Sequence, residues 1–419
     1  MDSDPEKTLT GGLSSRDPLR GFDGRIIKPC KPRNDNFLAP SPYRPLVAAC
    51  DRLRCWYTPF SEERDHALSC SMGHAVTEKL LHTLLSSIDH STRQEYGAGL
   101  LRFAQFCDDH NIDEQSRMPA SEVLLAAFIS EKAAGVLSDS AAQNWLQGLH
   151  FWHKINDAQW NGSQLLKQTL KGVRKLVPAT SRRAKRPPVT IEHMWALWRA
   201  LDLRNSLDAA VWACACTAFW GCCRLGELTV RTRYSYDASK HVRRDALMCW
   251  VSRNDGVRSL HFHLPWTKST QWEGADISLT GRPDLDPLYA IRQYLHANST
   301  VPSEAPLFSF EVAGGSWAPL VKDWFLTRCR SVWSQAGLQD VFGHSFRIGG
   351  TTELLLSGVA PEVVAAQGRW KSLTFMLYWR KIESILPLFI SRSYSQTRIA
   401  DAGLALEHFR IRNGITSSV

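Results

Sequence analysis

Fifteen consecutive apolar or small residues, AAVWACACTAFWGCC at 209–223, constrain this chain more than any other stretch. They fall short of the ~20 residues that span a bilayer, so the run reads as a buried helix around which a domain must be built. The chain has the material for such a core, with 44% hydrophobic residues, 16 Trp and 17 Phe among 419. Cys214, Cys216, Cys222 and Cys223 fall within the run at spacings that do not match common zinc sites. They read as core filler, a frequent fate of free cysteine. The 11 cysteines are an odd number without framework spacing, which points to a reduced intracellular compartment. The N-terminal MDSDPEKTLTGG lacks the basic start and apolar stretch of a signal peptide.

Around this run the pattern divides. Residues 1–70 are rich in Pro, Asp, Arg and Ser without sustained periodicity, and predict a disordered or loosely packed region with short apolar docking pieces near Leu46–Ala49. Five segments with polar starts and apolar stripes follow between about 74 and 177 and predict a compact helical domain over 71–178. PATSRRAKRPPVT then interrupts helix with Pro178, Pro187 and Pro188, marking a linker at 179–189. Its basic run, Arg182, Arg183, Lys185 and Arg186, suits phosphate tracking or nuclear targeting, although four solvated linker charges need no partner. From 190 to 395 helical patterns resume, interrupted by LMCWVS, SLHFHLPW and DISLTG, whose alternation predicts a small antiparallel sheet at about 247–280. Residues 396–419 form a C-terminal tail. The fold class is therefore mostly α, with a helical domain followed by a mainly helical domain that carries a small sheet.

A formal charge of +9 favours an acidic partner such as nucleic acid. Four motifs sharpen this. Arg224 follows the apolar run directly in WGCCRLGEL, an expensive place for a cation unless something satisfies it, and Glu227 lies three residues on. Lys268 stands between two predicted strands in LPWTKST. In GHSFRIGGT, His344 and Arg347 sit one helical turn apart and share a face. Gly349 and Gly350 follow where a helix former is worth about 1 kcal/mol more, so they predict close approach of backbone or ligand. Finally GRW places Trp370 eight residues before Tyr378. Singly, each has an ordinary reading: a helix-end cation, a solvated turn lysine, a packed tryptophan and a core tyrosine. His261 and His263 share one strand face without a third metal ligand and read as sheet histidines.

In order, CRLGEL, the hairpin lysine, HSFRIGG and GRW before LYWR resemble the tyrosine recombinases of the phage-integrase family, over roughly residues 75–395. The GRW form and the short gap to the tyrosine look most like recombinases of eukaryotic mobile elements, DIRS-like or crypton-like. The resemblance implies a SAM-like helical core-binding domain and the recombinase catalytic fold, closing around duplex DNA. It implies Tyr378 as nucleophile and Arg224 and Arg347 as grips on the scissile phosphate. Lys268 would protonate the leaving 5′ oxygen, and His344 would assist proton transfer or position the phosphate. Trp370 stands where many members have a second histidine and can pack or donate its indole N–H, but cannot act as an acid or base. Glu227 supports the first arginine. A homotetramer on paired sites in double-stranded DNA, a nuclear location, and chemistry needing no metal, ATP or other cofactor complete the implied picture. Two rivals remain, a type IB topoisomerase and a catalytically silent, domesticated DNA-binding protein.

Overall fold

The computed structural model describes residues 26–32, 37–181, 185–370, 376 and 380–393, with isolated positions beyond. Two compact units meet in sequence between Ala184 and Lys185.

The first unit is helical: α1 (Arg52–Cys55), α2 (Pro59–Met72), α3 (His74–Ser86), α4 (His90–Asp109), α5 (Glu122–Ala133), α6 (Asp139–Ile155) and α7 (Gln164–Leu176). The structure corrects the expectation of a loose segment through residue 70. Leu53, Cys55 and Trp56 are buried in the core formed with α4, α5 and α6. The Trp56 indole donates to Pro45 O at 3.0 Å and the Arg52 guanidinium to Gly97 O at 2.8 Å, tying this segment to its neighbours. Helix α2 starts on a capping box between Thr58 and Ser61, with Pro59 in the first turn where its missing N–H costs nothing.

The second unit is organised by the apolar run. Helix α8 (Ile191–Ala200) precedes α9 (Ser206–Trp220), of which every residue from Asp208 to Trp220 is buried. Asn205 caps α9 by accepting the Asp208 N–H at 3.0 Å. The Asp208 carboxylate takes two hydrogen bonds from Arg328, at 2.7 and 2.8 Å, near the positive end of the helix. Cys214 and Cys216 pack in this core, and burial pushes both thiols well above their ordinary pKa. No helix among the described residues is long and apolar enough to cross a membrane.

After the short α10 (Leu225–Leu228) come β1 (Cys249–Ser252), β2 (Arg258–Leu264) and β3 (Ala275–Thr280), an antiparallel sheet in the order β1-β2-β3. Leu260 and Leu279 face each other in register and point into the core, as do Phe262 and Ile277. His261 lies 2.9 Å from Ser259 Oγ and His263 2.8 Å from the Asp276 carboxylate, so both serve the sheet. Helix α11 (Pro287–Ala297) packs on α9, and α12 (Lys322–Gln335) on α8. Between α11 and α12 lies a hairpin, β4 (Phe310–Val312) and β5 (Ser316–Ala318), that the sequence reading did not anticipate. Ala318 ends this hairpin and Leu320 lies on its exit, ahead of α12. Helices α13 (Ser345–Leu356), α14 (Pro361–Gln367) and α15 (Ile382–Ser393) follow, and residues 371–375 and 377–379 between the last two lie outside the described residues.

The two glycines of α13 explain how it reaches α9. A β-carbon at Gly350 would stand 1.8 Å from Phe219 O, and one at Gly349 would stand 1.9 Å from Val189 O. Only glycine lets these backbones touch. The Val189 N–H also donates to Ser345 O at 2.9 Å, so the segment entering the unit is pinned to the first turn of α13.

Candidate anion site

Helix α9 ends at Gly221, whose N–H returns to Thr217 O at 2.9 Å. Cys222 then takes a left-handed conformation (φ 46°), which turns the chain and delivers Arg224 as the cap of α10. The Arg224 N–H donates to Glu227 at 2.9 Å, and its guanidinium donates to the other carboxylate oxygen at 2.8 Å. Glu227 is buried, while the Arg224 side chain keeps 30% of its surface exposed.

The end of α14 closes over the same turn. The Gln367 amide donates to Trp220 O at 2.9 Å and to Ser278 O at 2.7 Å. Arg369, at φ 58°, donates to Gly221 O (3.2 Å), Gln367 O (3.1 Å) and Glu227 Oε2 (3.0 Å). Arg347 projects from α13 into this knot, fully buried, and donates to Cys222 O at 2.6 Å and Gly368 O at 2.5 Å. The Trp370 ring lies 4.0 Å from its guanidinium carbon, a cation–π contact. Burial, followed by repulsion from Arg224, lowers the Arg347 pKa to about 10.

His344, at the start of α13, faces a cavity of about 460 Å³ also lined by Arg186, Arg224 and Lys322, with Asp323 the sole carboxylate among its lining residues. Burial first, then the charges of Arg347, Arg186, Arg224 and Lys322, lower the His344 pKa to about 4. The imidazole is therefore neutral at pH 7 and able to accept a proton in a cavity whose other basic groups are cations. The arrangement suits a tetrahedral anion, because fixed guanidinium and ammonium donors oppose developing negative charge without reorganising.

The sign of the resulting pH dependence follows from linkage. With a folded value near 4 and an ordinary value of 6.5, His344 takes up its proton more readily in the unfolded chain. Its contribution to stability is thus complete above about pH 6.5 and is lost as pH falls towards 4. A bound anion opposes the local cations and should raise the midpoint. Titration of the His344 ring by NMR is expected near pH 4 for the free protein and at higher pH with inorganic phosphate. A midpoint near 6.5 without ligand would contradict the burial of His344 and the cations gathered around it.

Among the residues singled out from sequence, the structure gathers Arg224, Glu227, His344, Arg347 and Trp370 around one turn and one cavity. Arg186 joins them, and Lys185 is exposed to solvent. Lys268 occupies the turn between β2 and β3, as expected, but it is exposed and is not among the residues lining the cavity. Tyr378, Arg182 and Arg183 lie outside the described residues. Sequence reasoning missed Lys322, a helix-start lysine that only tertiary packing brings to the cavity. It also missed Arg369, which stood in the quoted GRW but was passed over for its neighbour.

No protein-family model matches the chain, and no curated protein matches it. Solved structures do. A XerH site-specific recombinase bound to palindromic difH substrate, in a post-cleavage complex, is 14% identical over 83% of this chain and 94% of its own, with a TM-score of 0.48. The Tn1549 transposon integrase in complex with transposon right end DNA is 13% identical over 81% of this chain and all of its own, with a TM-score of 0.44. XerA recombinase is 12% identical over 80% and 98%, with a TM-score of 0.34. Each TM-score is below 0.5, so the chemistry assigned to this chain rests on its own residues.

Proposed function

We propose that this chain is a DNA strand-transfer enzyme, a tyrosine recombinase that breaks and rejoins double-stranded DNA through a 3′-phosphotyrosyl intermediate. The observation that carries the reading is that Arg224 and His344, far apart in sequence, line one cationic cavity whose histidine is neutral, with Glu227 bonded to Arg224 and Arg347 stacked on Trp370. In this reading Tyr378 Oη attacks the scissile phosphorus and its proton passes to His344. The bond from phosphorus to the 5′ oxygen breaks, and Lys268 supplies the proton that the leaving oxygen needs. Arg224 and Arg347 oppose the charge that builds on the non-bridging oxygens, bidentate geometry favouring arginine over lysine there. Rejoining is the same path reversed, since the phosphotyrosyl ester conserves the phosphodiester's energy. The assembly in this reading is a homotetramer on paired sites, and most of its affinity comes from phosphate contacts, so binding weakens steeply with salt.

One observation favours a second reading, a silent DNA-binding descendant. Arg347 is fully buried, its two terminal nitrogens donate to the Cys222 and Gly368 carbonyls, and it is not among the residues lining the cavity. Covalent trapping separates the two. Nicked duplexes with randomised arms are incubated with the protein, and adducts that survive denaturant are recovered and sequenced. The expected result is a DNA adduct with the wild type and none with Tyr378→Phe. An adduct that persists in Tyr378→Phe would remove the tyrosine assignment. Tight binding to the nicked duplexes with no adduct from either protein would favour the silent reading.

A further inference from the structure

Arg369 has no part in the chemistry just described, yet it is built into the site at some cost. Its backbone is left-handed (φ 58°), a conformation that non-glycine residues adopt only when the surroundings impose it. Its side chain is 11% exposed and donates to two carbonyls and a carboxylate. The carboxylate is Glu227, 4% exposed, which receives Arg369 on one oxygen at 3.0 Å and the Arg224 guanidinium on the other at 2.8 Å. Arg224 alone of these three lines the cavity.

The charge balance gives this arrangement a purpose. A buried carboxylate needs a cation. With Arg224 as its only partner, Glu227 would neutralise it, and the cavity would lose much of that guanidinium's pull on an anion. With Arg369 on the far oxygen, two guanidiniums share one carboxylate and the group keeps a net positive charge. Glu227 then orients Arg224 without cancelling it. A lysine could not do the same, because the fork that reaches Glu227 also reaches Gly221 O and Gln367 O.

We propose that Arg369 is a positioning residue that acts through Glu227, holding the Arg224 guanidinium at the cavity while leaving its charge available to a phosphoryl group. This rests on the reading of the cavity as the phosphodiester site.

The test uses the full chain and inorganic phosphate, with binding followed by the His344 ring resonances and by calorimetry. Arg369→Met is expected to weaken phosphate binding about tenfold, the scale of one charge-assisted contact. The same variant should raise the His344 titration midpoint, because Glu227 now compensates Arg224. Adding Glu227→Gln to Arg369→Met removes the surplus negative charge and should restore binding to within about threefold of wild type. A purely structural role predicts the opposite, since a second substitution in a buried network would deepen the defect. Arg369→Met that binds like wild type, or a double variant no better than the single one, overturns the proposal. Should the methionine variant fail to fold, Arg369→Gln, which keeps amide donors but carries no charge, and its combination with Glu227→Gln carry the same comparison. Arg224→Gln separates the levels: if it binds phosphate as well as wild type, the phosphodiester reading of the cavity fails and this proposal falls with it. If Arg224→Gln is weak while Arg369→Met is normal, only the role of Arg369 is lost.

Discussion

Alanine at position 350 is expected to destabilise the second unit by about 3 kcal/mol, near the upper end for overpacking a core. For a unit of this size that lowers its melting temperature by roughly 6–12 °C. The reason is the obstacle, which is backbone. The added β-carbon would sit 1.8 Å from Phe219 O, and no rotamer change can move a main-chain carbonyl in the buried last turn of α9. Either α13 lifts from α9 or α9 distorts. Gly172, inside α7, makes the contrast, because a β-carbon there meets nothing within 4 Å. Gly172→Ala should leave stability unchanged or raise it by up to about 1 kcal/mol through helix propensity. Calorimetry of both variants decides the matter, and an unchanged melting temperature for Gly350→Ala would show that the two helices are not in backbone contact.

Arg347→Met carries the second large effect, and it has two separable parts. Removing the guanidinium leaves Cys222 O and Gly368 O without their buried donors, at about 1–3 kcal/mol for each carbonyl. It also removes the stacking partner of Trp370. A loss of about 3 kcal/mol or more in denaturant unfolding is expected. Independently, the His344 pKa should rise from about 4 towards its ordinary value, because Arg347 is the leading charge, after burial, holding it down. Destabilisation without that rise would assign Arg347 to the architecture alone. A rise without destabilisation would mean that its two carbonyl contacts are weak.

The fold was legible where the local pattern carries its own reason. A run apolar on every side has nowhere to go but the centre, and α9 is there. The alternation in SLHFHL and DISLTG puts Leu260, Phe262, Ile277 and Leu279 on one face, and that face is buried. It was illegible where tertiary contact replaces pattern. Helix α2 buries only Ser61 and Asp65, so it has almost no apolar stripe to read and depends on its cap and its neighbours. The strands of the second hairpin are three residues each, too short for alternation to show. At the site, residue types chosen for chemistry stood out in sequence, whereas Arg369 and Lys322 are ordinary cations until the chain folds. The glycine pair illustrates both cases: its spacing foretold close approach, but not that Phe219 and Val189 would be the neighbours.

The contact between α9 and α13 has a consequence for selectivity. Arg224 is delivered by the end of one helix and His344 by the start of the other, and the two helices touch backbone to backbone through Gly350. The separation of the two backbones that carry Arg224 and His344 is thus held by main-chain packing. In the proposed reading, a phosphoryl group meets a site whose backbone spacing is fixed and which has little freedom to tighten around a small anion or to open for a large one.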